Sequence, residues 1–213
     1  MKVYILADGE GTRWNNWGGV PKQLLKVNDE TILDRMIRLC VENGLTNITI
    51  VGDFKNEHAK NTKLNCDNKI DLFISVADHS KEPFIILNGD IYYTDEIMKD
   101  ISQRDTTRWL HWMNPGVNTN TGKPWAEGYA YKVIDVDLWI KRLQNLKRNI
   151  SNGVIEYKNG WLINNYLANE PKLDLPKLTS HDISWNDNTD DFDFSGENND
   201  YLRFIEYTGY KGM

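Results

Sequence analysis

The chain has 213 residues, 40% hydrophobic and 26% charged, with 31 acidic against 25 basic side chains and a formal net charge of −6. That composition fits one large or two small globular domains and excludes wholesale disorder. The acidic balance argues against a general nucleic-acid or anionic-membrane binder, which needs a basic face. Apolar runs such as Phe84-Ile85-Ile86-Leu87 fall far short of the roughly 20 residues a membrane span requires. The opening segment meets Asp8 and Glu10 too soon for an export-signal core. Cys40 and Cys66 cannot form a disulfide scaffold, so both are expected as reduced thiols in a cytoplasmic protein. The 4 histidines show no metal-ligand spacing.

Lys2 to Ala7 reads as a buried strand, followed by a loop with Gly9, Gly11, Gly18 and Gly19 that ends at Pro21. Between Glu30 and Asn43, the residues Ile32, Leu33, Met36, Ile37, Cys40 and Val41 fall at helical spacing, with Gly44 closing the helix. Asn47 to Gly52 is a second strand, and strand, helix, strand in this order predicts a parallel pair. Residues 53–69 are polar and carry no clear pattern. Ile70, Phe73, Ile74 and Ala77 fit a helix better than a strand. Pro83 to Ile91 is the clearest buried strand and ends in Asn88-Gly89-Asp90. A short helix over Asp95–Ser102, with Asp95 near its N-cap, precedes a strand at Trp109–Trp112.

Residues 114–124 form a turn-rich loop, Glu127–Ile134 resumes strand character, and Val136–Leu146 is helical. A hairpin is expected at Val154–Tyr157 with its turn near Gly160, then a proline-flanked connector to residue 178. A polar stretch from His181 to Asp193 precedes a helix near Tyr201–Tyr207. The pattern as a whole predicts a single α/β domain over residues 1–213. It is expected as a three-layer α/β/α sandwich with a mixed, mostly parallel sheet, in two halves of about 1–105 and about 106–213.

The first loop carries the chemistry. It reads Leu6-Ala7-Asp8-Gly9-Glu10-Gly11-Thr12-Arg13, then Val20-Pro21-Lys22-Gln23-Leu24-Leu25-Lys26-Val27. Small residues after a strand let backbone N–H groups approach phosphate oxygens, and Arg13 and Lys22 supply cations for a polyphosphate. The Gly-Lys-Ser/Thr ending of a Walker A loop is absent, and so is the third glycine of a dinucleotide fingerprint.

The two segments together resemble the nucleotidyltransferases that make nucleotide sugars and related activated alcohols. Their signature is Leu-Ala-Ala-Gly-x-Gly-Thr-Arg, a variable gap, then Pro-Lys-x-Leu-Leu-x-Val. Asp8 departs from it, since the family usually has a small residue there. The strong match covers residues 2–52 and 83–96, and a looser one covers 125–134 and 181–193. The resemblance implies a GT-A/Rossmann-like fold and Mg²⁺-dependent transfer of NMP from an NTP to a phosphorylated sugar or small alcohol, with release of pyrophosphate.

Several residue roles follow from the resemblance. Leu6 through Arg13, Lys22 and Gly89 would bind nucleotide, and Arg13, Lys22 and Asp90 would be catalytic. Asp90, at the end of its strand, would hold the metal. A second acidic ligand is expected late in the chain, within Trp185-Asn186-Asp187-Asn188-Thr189-Asp190-Asp191-Phe192-Asp193. Alignment on Trp185 favours Asp187. Alignment on Thr189 puts Asn188 at the ligand position with Asp190 beside it, and Asp191 stays open. Asp187 and Asp190 are the residues chosen. Glu127 and Gly128 are the acceptor-binding candidates. Trp125 either stacks on the acceptor or simply packs.

The expected partners are an NTP and a phosphorylated small-molecule acceptor, with no nucleic acid or membrane, and a homo-oligomer stays open. Two other readings compete. One is a GT-A-type glycosyltransferase consuming a nucleotide sugar, although Asp90-Ile91-Tyr92 lacks the Asp-x-Asp that such a metal site wants. The other is a non-catalytic nucleotide-binding domain.

Overall fold

The computed structural model describes residues 1–9, 14–15, 17–64, 66–169, 179–193 and 199–213. Its centre is a seven-stranded sheet. In chain order the strands of that sheet and of two small ribbons are β1 (Lys2–Leu6), β2 (Lys26–Val27), β3 (Glu30–Thr31), β4 (Asn47–Val51), β5 (Ala59–Thr62), β6 (Phe84–Asn88), β7 (Ile91–Tyr92), β8 (Trp109–Asn114), β9 (Glu127–Val133), β10 (Asp182–Ser184) and β11 (Asp190–Asp191). The sheet runs β10-β8-β9-β6-β1-β4-β5. Its β1–β4, β1–β6, β4–β5 and β8–β10 pairs are parallel, and β9 is antiparallel to both β6 and β8. The sheet is therefore mixed and mostly parallel, with β1 at its heart.

The helices are α1 (Ile32–Glu42), α2 (Lys69–Ser80), α3 (Asp95–Gln103), α4 (Val136–Ser151), α5 (Trp161–Leu167) and α6 (Asp200–Thr208). Alternation along the buried strands sends successive side chains to opposite faces. Val3 and Ile5 join one core with α1, α3 and α6, whereas Tyr4, Phe84 and Ile86 join a second core with α2, α4 and α5. Short polar side chains start the helices. Thr31, Asn68, Asp135 and Asn199 accept from the backbone N–H groups of Asp34, Asp71, Leu138 and Leu202.

Several expectations are corrected. Residues 53–69 contain β5, which adds to the outer edge of β4. Its polar sequence, Ala-Lys-Asn-Thr, belongs to an edge strand with little to bury. The cap of α3 is Thr94, and Asp95 directly follows it in the first turn, near the N-cap as expected. No hairpin forms at Val154–Tyr157. The N–H groups of Val154 and Ile155 bond to the carbonyl of Asn149 and close α4, and the chain past Gly160 coils into α5, which buries Leu162, Ile163 and Leu167. The polar stretch His181–Asp193 holds two short strands, β10 and β11. The connector at 170–178 lies outside the described residues.

Candidate functional site

The site is a cavity of about 650 Å³ at the carboxyl ends of β1, β4 and β6, lined there by Leu6, Val51 and Asn88. Open α/β sheets bind ligands at this edge, and the volume is that of a small-molecule site. Asp8 and Gly9 border it directly after β1. Gly89 allows the ends of β1 and β6 to converge. Its N–H donates to the Leu6 carbonyl at 2.9 Å, and a Cβ on it would sit 2.5 Å from that oxygen. Any side chain here would push the Asp90 turn away from the first loop.

Lys22 enters from a short 3₁₀ turn after Pro21. It is buried, and its Nζ donates to Asp90 Oδ2 at 2.6 Å and to Asp193 Oδ1 at 3.0 Å. Burial works against its charge, but the two carboxylates overcome that cost and hold its pKa above the ordinary lysine value. Three segments distant in sequence thus meet at one ammonium.

The short antiparallel pair β7–β11 brings the late acids to this point. Asp191 lies opposite Ile91, Asp190 lies opposite Tyr92, and the Phe192 N–H donates to the Asp90 carbonyl. Side-chain alternation then sorts the acids. Asp191 and Asp193 face the cavity. Phe192 packs into the core beside α6, and Asp190 is fully buried with Arg203 at 2.8 Å. Burial pushes Asp190 up to about 7, against the pull of Lys123.

The two late acids chosen from sequence are therefore not the ones placed at the cavity. Asp187 accepts from the backbone N–H of Thr189 at 2.7 Å and from the Thr94 hydroxyl, and so fastens the turn before β11 to the start of α3. Asp190 belongs to an inner charge network. Asn188 bonds to the Tyr210 hydroxyl. Glu10, Gly11, Thr12 and Arg13 lie outside the described residues.

Trp125, Glu127 and Gly128, expected from the resemblance to meet the acceptor, all line the cavity. Behind them lies Lys123, fully buried and ion-paired with Asp191, with Asp200 at 3.1 Å and with Glu127 at 3.4 Å. Burial opposes the lysine charge, and the surrounding acids more than restore it. Burial raises Glu127 well above the usual carboxylate range, and the neighbouring charge of Asp191 adds to the shift. The ring of Trp125 has the Lys123 ammonium 5.3 Å from its centroid. Lys69, at the start of α2, lines the cavity wall; desolvation pulls its pKa below the ordinary lysine value, against the fields of Asp90, Asp193 and Glu127. His111 and Trp161 line the cavity as well. None of Lys69, His111, Lys123, Trp161 or Asp193 was chosen from sequence as a site residue, although Asp193 lies in the late acidic segment where a ligand was expected. Among these only Asp193 had a signal, the alternation Asp191-Phe192-Asp193.

Asp90 and Asp193 present oxygen donors, the chemistry a hard divalent cation takes. Among the described residues no group of three or more His, Cys, Asp or Glu is arranged to hold a metal. Magnesium commonly uses one or two carboxylates and fills its shell with phosphates and water, so this pair suits it.

No protein-family model matches the chain, and no curated protein matches it. Solved structures do. One assigned as a glucose-1-phosphate thymidylyltransferase from Bacillus anthracis, in complex with a sucrose, aligns over 98% of this chain and 94% of its own, with TM-score 0.60 and 16% identity. CTP:phosphocholine cytidylyltransferase from Streptococcus pneumoniae aligns over 96% of this chain and 97% of its own, with TM-score 0.54 and 16% identity. A UDP-glucose pyrophosphorylase complexed with UDP-glucose aligns over 98% and 97%, with TM-score 0.61 and 13% identity. The chain has the α/β fold of these nucleotidyltransferases. The likeness runs over nearly the full length of all three.

Proposed function

We propose that the protein is a nucleotidyltransferase that moves a nucleoside monophosphate from an NTP onto the phosphate of a small acceptor. The observation that carries this reading is the meeting of Lys22, Asp90 and Asp193 at the cavity beside the first loop. The nucleotidyltransferase fold supports it.

The reaction asks little covalent help of the protein. The acceptor phosphate, with a second pKa of about 6, is already ionised at neutral pH, so no general base is needed. One of its oxygens bonds to the α-phosphorus, the bond from that phosphorus to the β-phosphate oxygen breaks, and pyrophosphate leaves. The barrier is the crowding of negative charge. Lys22 neutralises oxygens of the triphosphate, and the backbone of the Asp8-Gly9 turn guides the tail into place, with Arg13 assigned to the same task. Asp90 and Asp193 would hold magnesium, which when bound supplies charge neutralisation at the reacting phosphates. Trp125, Glu127 and Gly128 border the acceptor.

The test is pyrophosphate release across the four common NTPs and a panel of hexose 1-phosphates, glycerol 3-phosphate and phosphocholine, with and without Mg²⁺. Magnesium-dependent release from at least one pair is expected. Nucleotide binding without release from any pair overturns the reading in favour of a non-catalytic domain. Hydrolysis of a nucleotide sugar instead overturns it in favour of a glycosyltransferase.

A further inference from the structure

His111 lies in the middle of β8, 1% exposed, yet it borders the cavity. Its Nδ1 is 2.8 Å from Asp182 Oδ1, and both side chains are buried. Asp182 is itself held by the N–H of Thr179 at 2.7 Å and the amide of Asn164 at 3.1 Å. The imidazole lies flat on Tyr131, with ring centroids 4.3 Å apart. Its position and orientation are therefore fixed by Asp182 and Tyr131, and nothing in the transfer of a nucleotidyl group to a phosphate uses it.

The opposite edge of the ring is open for a reason written in the sequence. Residue 128 is glycine, and a Cβ there would come within 2.9 Å of Nε2. Gly128 lines the same cavity, and its carbonyl accepts from Asn88 Nδ2 at 2.8 Å. The gap thus lies beside the strand that ends in Asp90. A register shift between Trp112 and Met113, where β8 meets β9, falls at this spot. Such irregularities re-aim side chains near sites.

The proton inventory fixes what Nε2 can do. Despite burial, the Asp182 carboxyl is held below its ordinary pKa by His111 and by the Thr179 N–H, so it is an ionised, all-acceptor partner. Nδ1 must then carry the hydrogen. Burial lowers the imidazole's own pKa, and the positive charge of Lys69 acts in the same direction, against the pull of Asp182. The ring is neutral at pH 7, and Nε2 is a lone pair facing the cavity. No hydrogen-bond donor among the described residues meets it.

Resting on the nucleotidyltransferase reading, we propose that His111 Nε2, exposed through the Gly128 gap and oriented by Asp182, accepts a hydrogen bond from a hydroxyl of the acceptor, which makes the acceptor a hydroxyl-bearing phosphate of the sugar or polyol class. The complementarity is one of donors. A ring or chain hydroxyl donates to the Nε2 lone pair, whereas the trimethylammonium of phosphocholine has no N–H or O–H and, on displacing water from the gap, leaves Nε2 without a donor.

The experiment reads Nε2 directly. The full chain is labelled with ¹⁵N-histidine, the His111 resonances are assigned with His111→Gln, and glucose 1-phosphate, mannose 1-phosphate, glycerol 3-phosphate, phosphocholine and phosphoethanolamine are added in turn. The Nε2 resonance is expected to move with at least one hydroxyl-bearing phosphate and to stay still with phosphocholine. In pyrophosphate-release assays with that acceptor, His111→Gln is expected to raise KM about tenfold while kcat changes less than about threefold. Gly128→Ala, whose methyl would come within 2.9 Å of Nε2 and crowd the gap while keeping both His111 and Asp182 in the chain, should also raise KM for that acceptor even if His111→Gln folds poorly.

No movement of Nε2 with any hydroxyl-bearing phosphate overturns the proposal, as does movement with phosphocholine or phosphoethanolamine alone. The two readings fail separately. Pyrophosphate release with a motionless Nε2 sinks only the hydroxyl site. A moving Nε2 without release from any nucleotide sinks only the reaction.

Discussion

At Asp193 the direction of one side chain decides a role. It faces Lys22 across 3.0 Å, whereas Asp187 spends its carboxylate on the Thr189 N–H and the Thr94 hydroxyl. Asp193→Asn is therefore expected to lower turnover by about a hundredfold or more, the usual scale for losing a charge aimed at the reacting phosphates. Asp187→Asn should keep turnover within about threefold and lose on the order of 1 kcal/mol of stability through the weakened turn. Parallel measurement of pyrophosphate release and urea unfolding on the two variants separates them, and equal loss of activity in both would refute the assignment.

His111 makes a second prediction at this scale. Its native pKa lies below the ordinary histidine value of 6.5, chiefly through burial. In the window between the two values the unfolded chain binds the proton and the native chain does not. Stability therefore falls as pH drops below about 6.5. His111→Gln should shrink the fall in urea midpoint between about pH 7.5 and about pH 5.5, and an unchanged fall would show that His111 is not the group responsible.

Among the elements, β1, α1, β4 and β6 were legible because each announces itself by a local period. Buried parallel strands read as continuous apolar runs, and α1 carries one clean apolar face. What escaped was set by partners rather than by period. The four residues of β5 are strand only because the edge of β4 is there to pair with. The two residues of β11 exist because β7 receives them, and that register, invisible in the sequence, turns Asp191 and Asp193 toward the cavity and Asp190 away. The first-loop signature placed Lys22 and Asp90 from local motifs, whereas Lys123 looked like an ordinary loop lysine.

In the structure Lys123 is the counter-ion that lets β11 exist, since Asp190, Asp191 and Asp200 converge on it. Removing it leaves the buried Asp191 without this counter-ion, and Asp190 and Asp200 dependent on Arg203. Lys123→Met is expected to destabilise the protein by about 3–5 kcal/mol, measured by urea unfolding, and to disorder the Asp193 side of the site. A variant as stable as the parent would show that the network contributes nothing to the fold.

On the scale of the whole molecule, the two cores do different work. The α2–α4–α5 face is built on Trp139, Phe73 and Trp109 and lies behind the sheet. The opposite face closes through α6. There Phe204 stacks against Tyr92 at 5.0 Å, Phe192 at 5.2 Å and Tyr210 at 5.8 Å, and so clamps β7 to β11 from below. Tyr201 of the same helix donates to the Lys26 carbonyl, next to the segment that carries Lys22. One helix thus holds all three segments whose side chains meet at the ammonium, so the Lys22–Asp90–Asp193 cluster is a tertiary product of this face, while Lys69 of α2 and Trp161 of α5 reach the cavity from the other.

The two faces can be set against each other. Phe204→Ala and Trp139→Ala each remove a fully buried aromatic ring, and each is expected to cost about 3–5 kcal/mol. At a temperature where both variants remain folded, Trp139→Ala should retain most of its pyrophosphate-releasing activity. Phe204→Ala should lose at least about tenfold, because a small displacement of β11 against β7 misplaces Asp193 relative to Asp90. Thermal unfolding supplies the stability half of the comparison and turnover at low temperature the other. Equal activity in the two variants would mean that α6 supports the fold without positioning the site.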